Sequence, residues 1–360
     1  MMQEREQLEE LLNCDIDFKA FNLYIWGTGN TSDLYQEGLK RLEEEGIIIR
    51  GYFDNNSEKW GKEYAGKRIL SPGEAGNIEN LLVLISTPRP KVIRQIGEQL
   101  NSLKIKWLTI DAFTVYLHKN EILDVYDFLS DEKSKSVYMQ LTKNRVEGTY
   151  PDEKYVDGHD RYFYGLVGDC DANEVFIDCG AFVGDSFEQY LWKKEGTFKK
   201  AILFEPDFDN LHALECRLSR LKNEWHIADN KIEVYPYGVS DEDSIGYLER
   251  FDTNNGLGSK LFLEKSDGAT ECRTVKLDSV IKDKNLFVKA DIESYEYRML
   301  LGAKEIISKN KPKLAICIYH NSVDFYSIPR LIKELNPDYF FSVRHYSPNL
   351  SETILYAYSE

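Results

Sequence analysis

The stretch VFIDCGAFVGDS, residues 175–186, constrains the fold more than any other part of the chain. An apolar run delivers an acidic side chain, Asp178, at its C-terminal end, and a glycine-bearing turn follows at once. Gly180 lets the backbone turn tightly beside a ligand, and Gly184 leaves room where helix and strand close together. A strand running into such a turn and then a helix is the building unit of open α/β sheets. Ligands bind in these sheets at the C-terminal ends of the strands. The following strand ends in Phe204-Glu205-Pro206, where a carboxylate can accept both hydroxyls of a ribose.

The same strand–turn–helix pattern occurs earlier, as Leu23-Tyr24-Ile25-Trp26 before Gly27-Thr28-Gly29-Asn30 and a helix expected over 31–45. Strands over 47–54, 81–86 and 105–110 complete a small parallel sheet. From 118 to 172 strand signals vanish. Helical spacing (Ile122, Val125, Phe128) gives way to the polar run VEGTYPDEKYVDGHD, which reads as a helical connector with a loop able to cover a neighbouring site. Strands are then expected over 175–178, 201–205, 232–235, 286–291, 313–318, 339–344 and 353–357. A hairpin built from 244–249 and 272–277 is inserted between the third and fourth, around a glycine- and asparagine-rich loop. Only a short turn separates the last two strands, so they pair antiparallel, because a parallel return needs a crossover of about a dozen residues. The expected fold is α/β, with two Rossmann-like domains over 1–117 and 173–360 and a connector over 118–172.

Composition narrows the function. The 360 residues carry 45 Lys plus Arg against 61 Asp plus Glu, a net charge of −16. That balance disfavours nucleic acid as a partner and favours an acceptor that is not strongly anionic. No apolar run approaches the ~20 residues of a membrane span, and the acidic N-terminus is unlike a signal peptide, so a cytoplasmic location is expected. Six scattered cysteines without a C-x-x-C pair form neither a zinc site nor a disulfide framework; they are expected to be reduced and mostly buried.

Asp291 closes the strand VKADIE across the same crevice as Asp178, and His320 follows the next strand at the same rim. Together with Glu293, these side chains could orient a hydroxyl and take its proton. Asp291 could equally cap the helix that follows, and His320 could be a capping or core-edge histidine. Asp291, Glu293 and His320 are also compatible with a divalent metal, but one acid pair is too little for a metal site to be assigned.

The ordered motifs FIDCGAFVGDS, ILFEPD, VKLDSV, VKADIESYEYRMLLGAKEII, KPKLAICIYH and YFFSVRHYS resemble the FkbM family of methyltransferases that use S-adenosylmethionine (SAM). The resemblance runs over about residues 131–358 and includes DEKSKSVY and the pair Tyr162-Phe163. It implies a seven-stranded SAM-methyltransferase sheet with an antiparallel edge hairpin, and O-methylation of a sugar, glycan precursor or similar hydroxyl. It places Asp178, Gly180, Ala181, Gly184, Asp185 and Ser186 around the cofactor, the first four of these lining its methionine end. It puts Glu205 on the ribose and Gly238-Val239, at the end of the third strand, near adenine. Asp291 and Glu293 match the family's D-x-E motif beside the reacting centre. The family usually has glycine after that Glu, then a small residue; this chain has Ser294 and Tyr295, which either narrow the acceptor side or pack beneath it.

In the first domain Gly27 and Gly29 are the first two glycines of a dinucleotide fingerprint, Ser32 stands at the third place, and Asp54 ends the second strand where a ribose-binding acid would sit. The stretch YIWGTGN…GYFDNNSEKWGKEYAGKRILSP resembles the N-terminal domain of bacterial sugar O-acyltransferases, which implies a sugar-nucleotide ligand for Gly27, Gly29, Asn30 and Asp54. A structural or oligomerising role and a dinucleotide remain alternatives. At the level of the whole chain, O-methyl transfer competes with a non-catalytic nucleotide-binding module in glycan assembly and with a nicotinamide-dependent sugar-nucleotide oxidoreductase.

Overall fold

The computed structural model describes residues 2–14, 16–33, 35–158, 161–165, 170–250, 259–262 and 268–359. The chain forms two compact units. The first comprises 1–157, 319–326 and 345–352; the second comprises 158–318, 327–344 and 353–360. The helices expected in a connector, Lys119–Phe128 and Glu132–Glu147, therefore cluster with the first unit.

The first unit holds a six-stranded sheet of β1 (Asn22–Trp26), β2 (Ile49–Phe53), β3 (Glu63–Tyr64), β4 (Lys67–Leu70), β5 (Leu81–Ile85) and β6 (Lys106–Thr109), in the order β3-β4-β2-β1-β5-β6. All pairs are parallel except β3–β4. The five residues of β5, LLVLI, are all buried, as a strand covered on both faces requires. The order reverses between β1 and β5, so the turn after Gly27 opens at the position where such sheets bind ligands. The helix Pro90–Ser102 lies close on β6: a Cβ on Gly97 would stand 2.4 Å from the Trp107 ring.

Residues 319–326 leave the second unit's sheet and join the first. The fully buried Asp324 pairs with Arg41 at 2.7 Å. Phe325 stacks on Tyr138 with ring centroids 4.2 Å apart, and Tyr326 stacks on His118 at 4.4 Å.

The second unit contains β7 (Val175–Cys179), β8 (Lys200–Phe204), β9 (Ile232–Tyr235), β10 (Tyr237–Val239), β11 (Ser244–Arg250), β12 (Ser259–Phe262), β13 (Thr270–Val275), β14 (Leu286–Ala290), β15 (Lys313–Cys317), β16 (Phe340–His345) and β17 (Thr353–Tyr358). Seven of them form the main sheet, β16-β17-β15-β14-β7-β8-β9, parallel from β15 through β9 with β17 antiparallel to β15. The four others form an inserted sheet, β10-β13-β11-β12. The expected hairpin is thus the antiparallel β11–β13 pair with a strand added on each side, and residues 251–258 of its loop lie outside the described set. At the N-terminal end of β7 the buried Glu174 binds Lys194 at 2.9 Å, Lys313 at 3.0 Å and the Tyr190 hydroxyl at 2.9 Å, tying β7 to β15.

All six cysteines are free, but only Cys179 and Cys317 are buried; Cys170 and Cys216 are exposed. Among the described residues, no helix is long and apolar enough to cross a membrane.

Candidate active site

The turn after β7 is built from backbone that glycine tolerates and other residues resist. Gly180 has φ +81°, and a Cβ there would lie 2.1 Å from the Asp291 carbonyl oxygen, so the turn presses directly on the end of β14. The N–H groups of Gly180 and Ala181 both donate to the Phe204 carbonyl, at 3.0 and 2.9 Å, which locks the turn to β8. Gly184, at φ +82°, approaches Leu214 of the helix Phe208–Trp225; the close packing it permits is between helices rather than helix and strand. Asp185 and Ser186 open the helix Asp185–Lys193.

Asp178 is fully buried, accepts a hydrogen bond from the Ser186 hydroxyl and pairs with Lys289 at 2.9 Å. Lys289 is its direct partner across the β7–β14 register. The lysine also donates to the Gly180 carbonyl at 2.7 Å, so an internal ion pair braces the turn from beneath. Burial alone would lower the Lys289 ammonium, but the Asp178 and Asp291 carboxylates outweigh it and hold it above its usual range.

Glu205 sits at the end of β8 with one oxygen accepting from the Phe182 N–H (2.8 Å) and the other from the Asp207 N–H (2.9 Å). Those bonds fix the carboxylate while leaving lone pairs for further donors, the capacity that a ribose diol demands. Burial pushes its carboxyl up to about 7, against the Asp207 and Phe182 amides, which lower it. Asp207 caps the next helix and accepts from the Ser259 hydroxyl, linking the inserted sheet to this rim.

Gly238 and Val239 come directly after β9, the third strand in chain order. They form β10 of the inserted sheet, because the chain leaves the main sheet at Pro236, and Gly238 faces Leu261 and Thr274.

Asp291 follows β14 and accepts from the Tyr162 hydroxyl at 2.5 Å. Helix capping is not its role: the next helix begins only at Glu296, whose carboxylate accepts the Ile292 N–H at 2.7 Å. Between them Glu293 and Ser294 adopt φ +53° and +80°. Ser294 thus occupies left-handed backbone that suits glycine. Tyr295 is buried with Leu248 and Leu261, packing beneath the turn against the inserted sheet. His320 lies in the segment that clusters with the first unit, where its ring sits 4.1 Å from that of Tyr319.

The sequence assigns Lys289 no role and marks Tyr162 only as part of the resemblance. A lysine inside LFVKA signals a buried partner, whereas nothing local ties Tyr162 to Asp291, which it meets only through the tertiary fold.

In the first unit Gly27 (φ +114°) lies against the Ser86 and Ser32 hydroxyls, which bond to each other. The Asp54 carboxylate is engaged by its own chain. One oxygen takes the Thr28 N–H at 3.0 Å, the Thr28 hydroxyl at 2.5 Å and Lys59 at 3.5 Å, and the other takes the Asn56 N–H at 2.8 Å. Burial would raise this carboxyl, but the Thr28 hydroxyl, the amides and Lys59 outweigh it and hold it below its usual value. Gly29 is open, with nothing within 4 Å of a Cβ placed there. Asn30 begins the helix Asn30–Asp33, and its side chain lies outside the described set.

A parallel sheet with its turn, acid and carboxylate at adjacent strand ends and an antiparallel edge strand defines the α/β methyltransferase fold. Residues 178–340 match the family model described as the methyltransferase FkbM domain, and residues 20–110 match the one described as C2185-like, N-terminal. Among solved structures, the chain is similar to a methyltransferase FkbM from Methylobacillus flagellatus KT. The two share 20% identity over 99% of this chain and 98% of that one, with a TM-score of 0.57. An rRNA methylase from Streptococcus thermophilus aligns over 53% of this chain and 88% of its own at 14% identity and TM-score 0.33. A Streptococcus mutans protein described as a methyltransferase, solved with SAH, aligns over 54% and 93% at 13% identity and TM-score 0.34. No curated protein matches the chain in sequence.

Proposed function

We propose that the second unit is a SAM-dependent methyltransferase that methylates a hydroxyl oxygen of a sugar or glycan precursor. The observation that carries the reading is the grouping of the Gly180–Gly184 turn, Glu205 and Asp291 at neighbouring strand ends within the stretch that matches the FkbM domain. Glu205 would hold the ribose hydroxyls, with its carboxylate fixed by two amides so that little ordering is left for binding. SAM supplies an activated methyl group on a sulfonium, so the protein has to align the acceptor and accept one proton. Asp291, which accepts from the Tyr162 hydroxyl, would take that proton. Asp178 serves from behind, as the counter-charge that keeps Lys289 under the turn.

A neutral sugar hydroxyl suits the acidic chain, as does a cytoplasmic setting without nucleic-acid or membrane partners. For the first unit, the engagement of the Asp54 carboxylate by its own chain favours a structural role or a ligand held without this acid over a dinucleotide, whose ribose would compete with Thr28, Asn56 and Lys59. That also weighs against the oxidoreductase reading.

Calorimetric titration with SAM tests the assignment. Saturable binding is expected for the wild type and for Asp291→Asn, with affinity reduced at least about tenfold in Glu205→Ala. Absence of binding by the folded wild type would overturn it. Against a panel of sugar acceptors, Asp291→Asn should lose methylated product while keeping SAM, which separates an enzyme from a binding module.

A further inference from the structure

We propose that Tyr162 is a positioning residue for methyl transfer, holding the Asp291 carboxylate in the orientation from which it takes the acceptor's proton. The proposal rests on the methyl-transfer reading and deepens it. Tyr162 is 129 positions from Asp291 in sequence, yet its hydroxyl reaches that carboxylate at 2.5 Å from a side chain that is 2% exposed. Its backbone stands at φ +70°, a region that costs a residue with a Cβ about 1–3 kcal/mol, so the surrounding fold holds it there against local preference. Two cations lie against its ring. The Lys289 ammonium is 5.1 Å from the centroid and the Arg161 guanidinium 4.7 Å. Lys289 is itself fastened to Asp178 and to the Gly180 carbonyl, so one connected set joins the cofactor turn to the Asp291 carboxylate.

The charges around Asp291 give this contact a purpose. The fully buried Glu296 carboxylate has an oxygen within 4.8 Å of one on Asp291. A donor aimed at Asp291, with the Lys289 ammonium close by, holds that carboxylate apart from its acidic neighbour. Burial, and then the Asp291 charge, push the Tyr162 phenol well above its usual value. Its hydroxyl therefore keeps its proton and acts only as a donor. As the acceptor oxygen bonds the methyl carbon, the methyl–sulfur bond breaks with its electron pair left on sulfur. The acceptor's proton passes to Asp291 and then to solvent, and the Tyr162 O–H bond is unchanged throughout.

The test follows the Asp291 carboxyl carbon by NMR in the full chain labelled with 13C-aspartate, the signal being assigned by its loss in Asp291→Asn. In Tyr162→Phe the titration midpoint of Asp291 is expected to rise by about one pH unit, the equivalent of one hydrogen bond to a charged group, while SAM affinity stays within about twofold. 3-Fluorotyrosine at position 162 keeps the ring and strengthens the donor, so it lowers the midpoint and covers the case in which the phenylalanine variant fails to fold. A midpoint unmoved in either variant overturns the proposal. Failure of the wild type to bind SAM is a separate result, which removes the methyl-transfer reading and with it the role of Tyr162 in that reaction.

Discussion

Ser294 shows how a single residue can sit at odds with its backbone. At φ +80° it pays the cost that glycine avoids, and it stands where the resemblance leads one to expect glycine. Ser294→Gly is therefore expected to stabilise the second unit by about 1 kcal/mol, less the extra freedom glycine gains when unfolded, and to raise the thermal midpoint by about 1–2 °C. A lowered midpoint in a calorimetric scan would contradict this. Glu205 carries the pH dependence. Its carboxyl lies at about 7 when folded against an ordinary 4.5, so its contribution to stability is fully present below about 4.5 and is lost as pH rises through about 7. Ribose hydroxyls donate to the ionised form, so SAM affinity should move oppositely, rising with pH through about 7. Binding near pH 7 should release a proton, read as an enthalpy that changes with buffer, and Glu205→Gln should abolish that dependence.

At the scale of elements, the strands were legible because their patterns are unambiguous. Runs such as VFIDC and LLVLI are too short for buried helices, and glycines or charged turns bound them. The β7 turn was legible as well, but the reason for its glycine was not. The constraint on Gly180 comes from the Asp291 carbonyl on a neighbouring strand, 2.1 Å from where a Cβ would be. Gly180→Ala is accordingly expected to push β14 away from the turn and destabilise the unit by about 2–3 kcal/mol, with SAM binding lost in parallel. Full retention of both stability and binding would show that the turn can relax. The inserted sheet was only half visible. Strands β10 and β12 are three and four residues long, and they acquire strand character by pairing with β11 and β13 rather than from their own pattern. That pairing places Gly238 and Val239 in the inserted sheet.

For the whole molecule, the chain order conceals the division into units. Residues 319–326 and 345–352 are sequence neighbours of β15 and β16 but cluster with the first unit. Asp324, with no exposed surface, depends on Arg41, and Phe325 lies under Tyr138 and Arg145. A chain cut to residues 158–360 would retain Asp324 and Phe325 without any of these partners. Such a fragment is expected to aggregate or to melt at least about 5 °C below the full chain, because breaking a buried pair costs about 3–5 kcal/mol. Expression and thermal melting of the fragment beside the full chain check this, and equal stability would mean that the two segments need nothing from the first unit.

The sequence by itself determined the class of fold, the two glycine turns and the strand ends that carry Asp178, Glu205 and Asp291, because apolar runs, glycines and acids at fixed offsets are local signals. Only the tertiary structure decided what each carboxylate faces. Asp178 turned inward to Lys289, Asp54 was engaged by Thr28, Asn56 and Lys59, and Asp291 was met by a tyrosine from a distant segment. The physical reason is that a buried charge must find its partner wherever the packed chain brings one, and the spacing of residues along a strand carries no record of that.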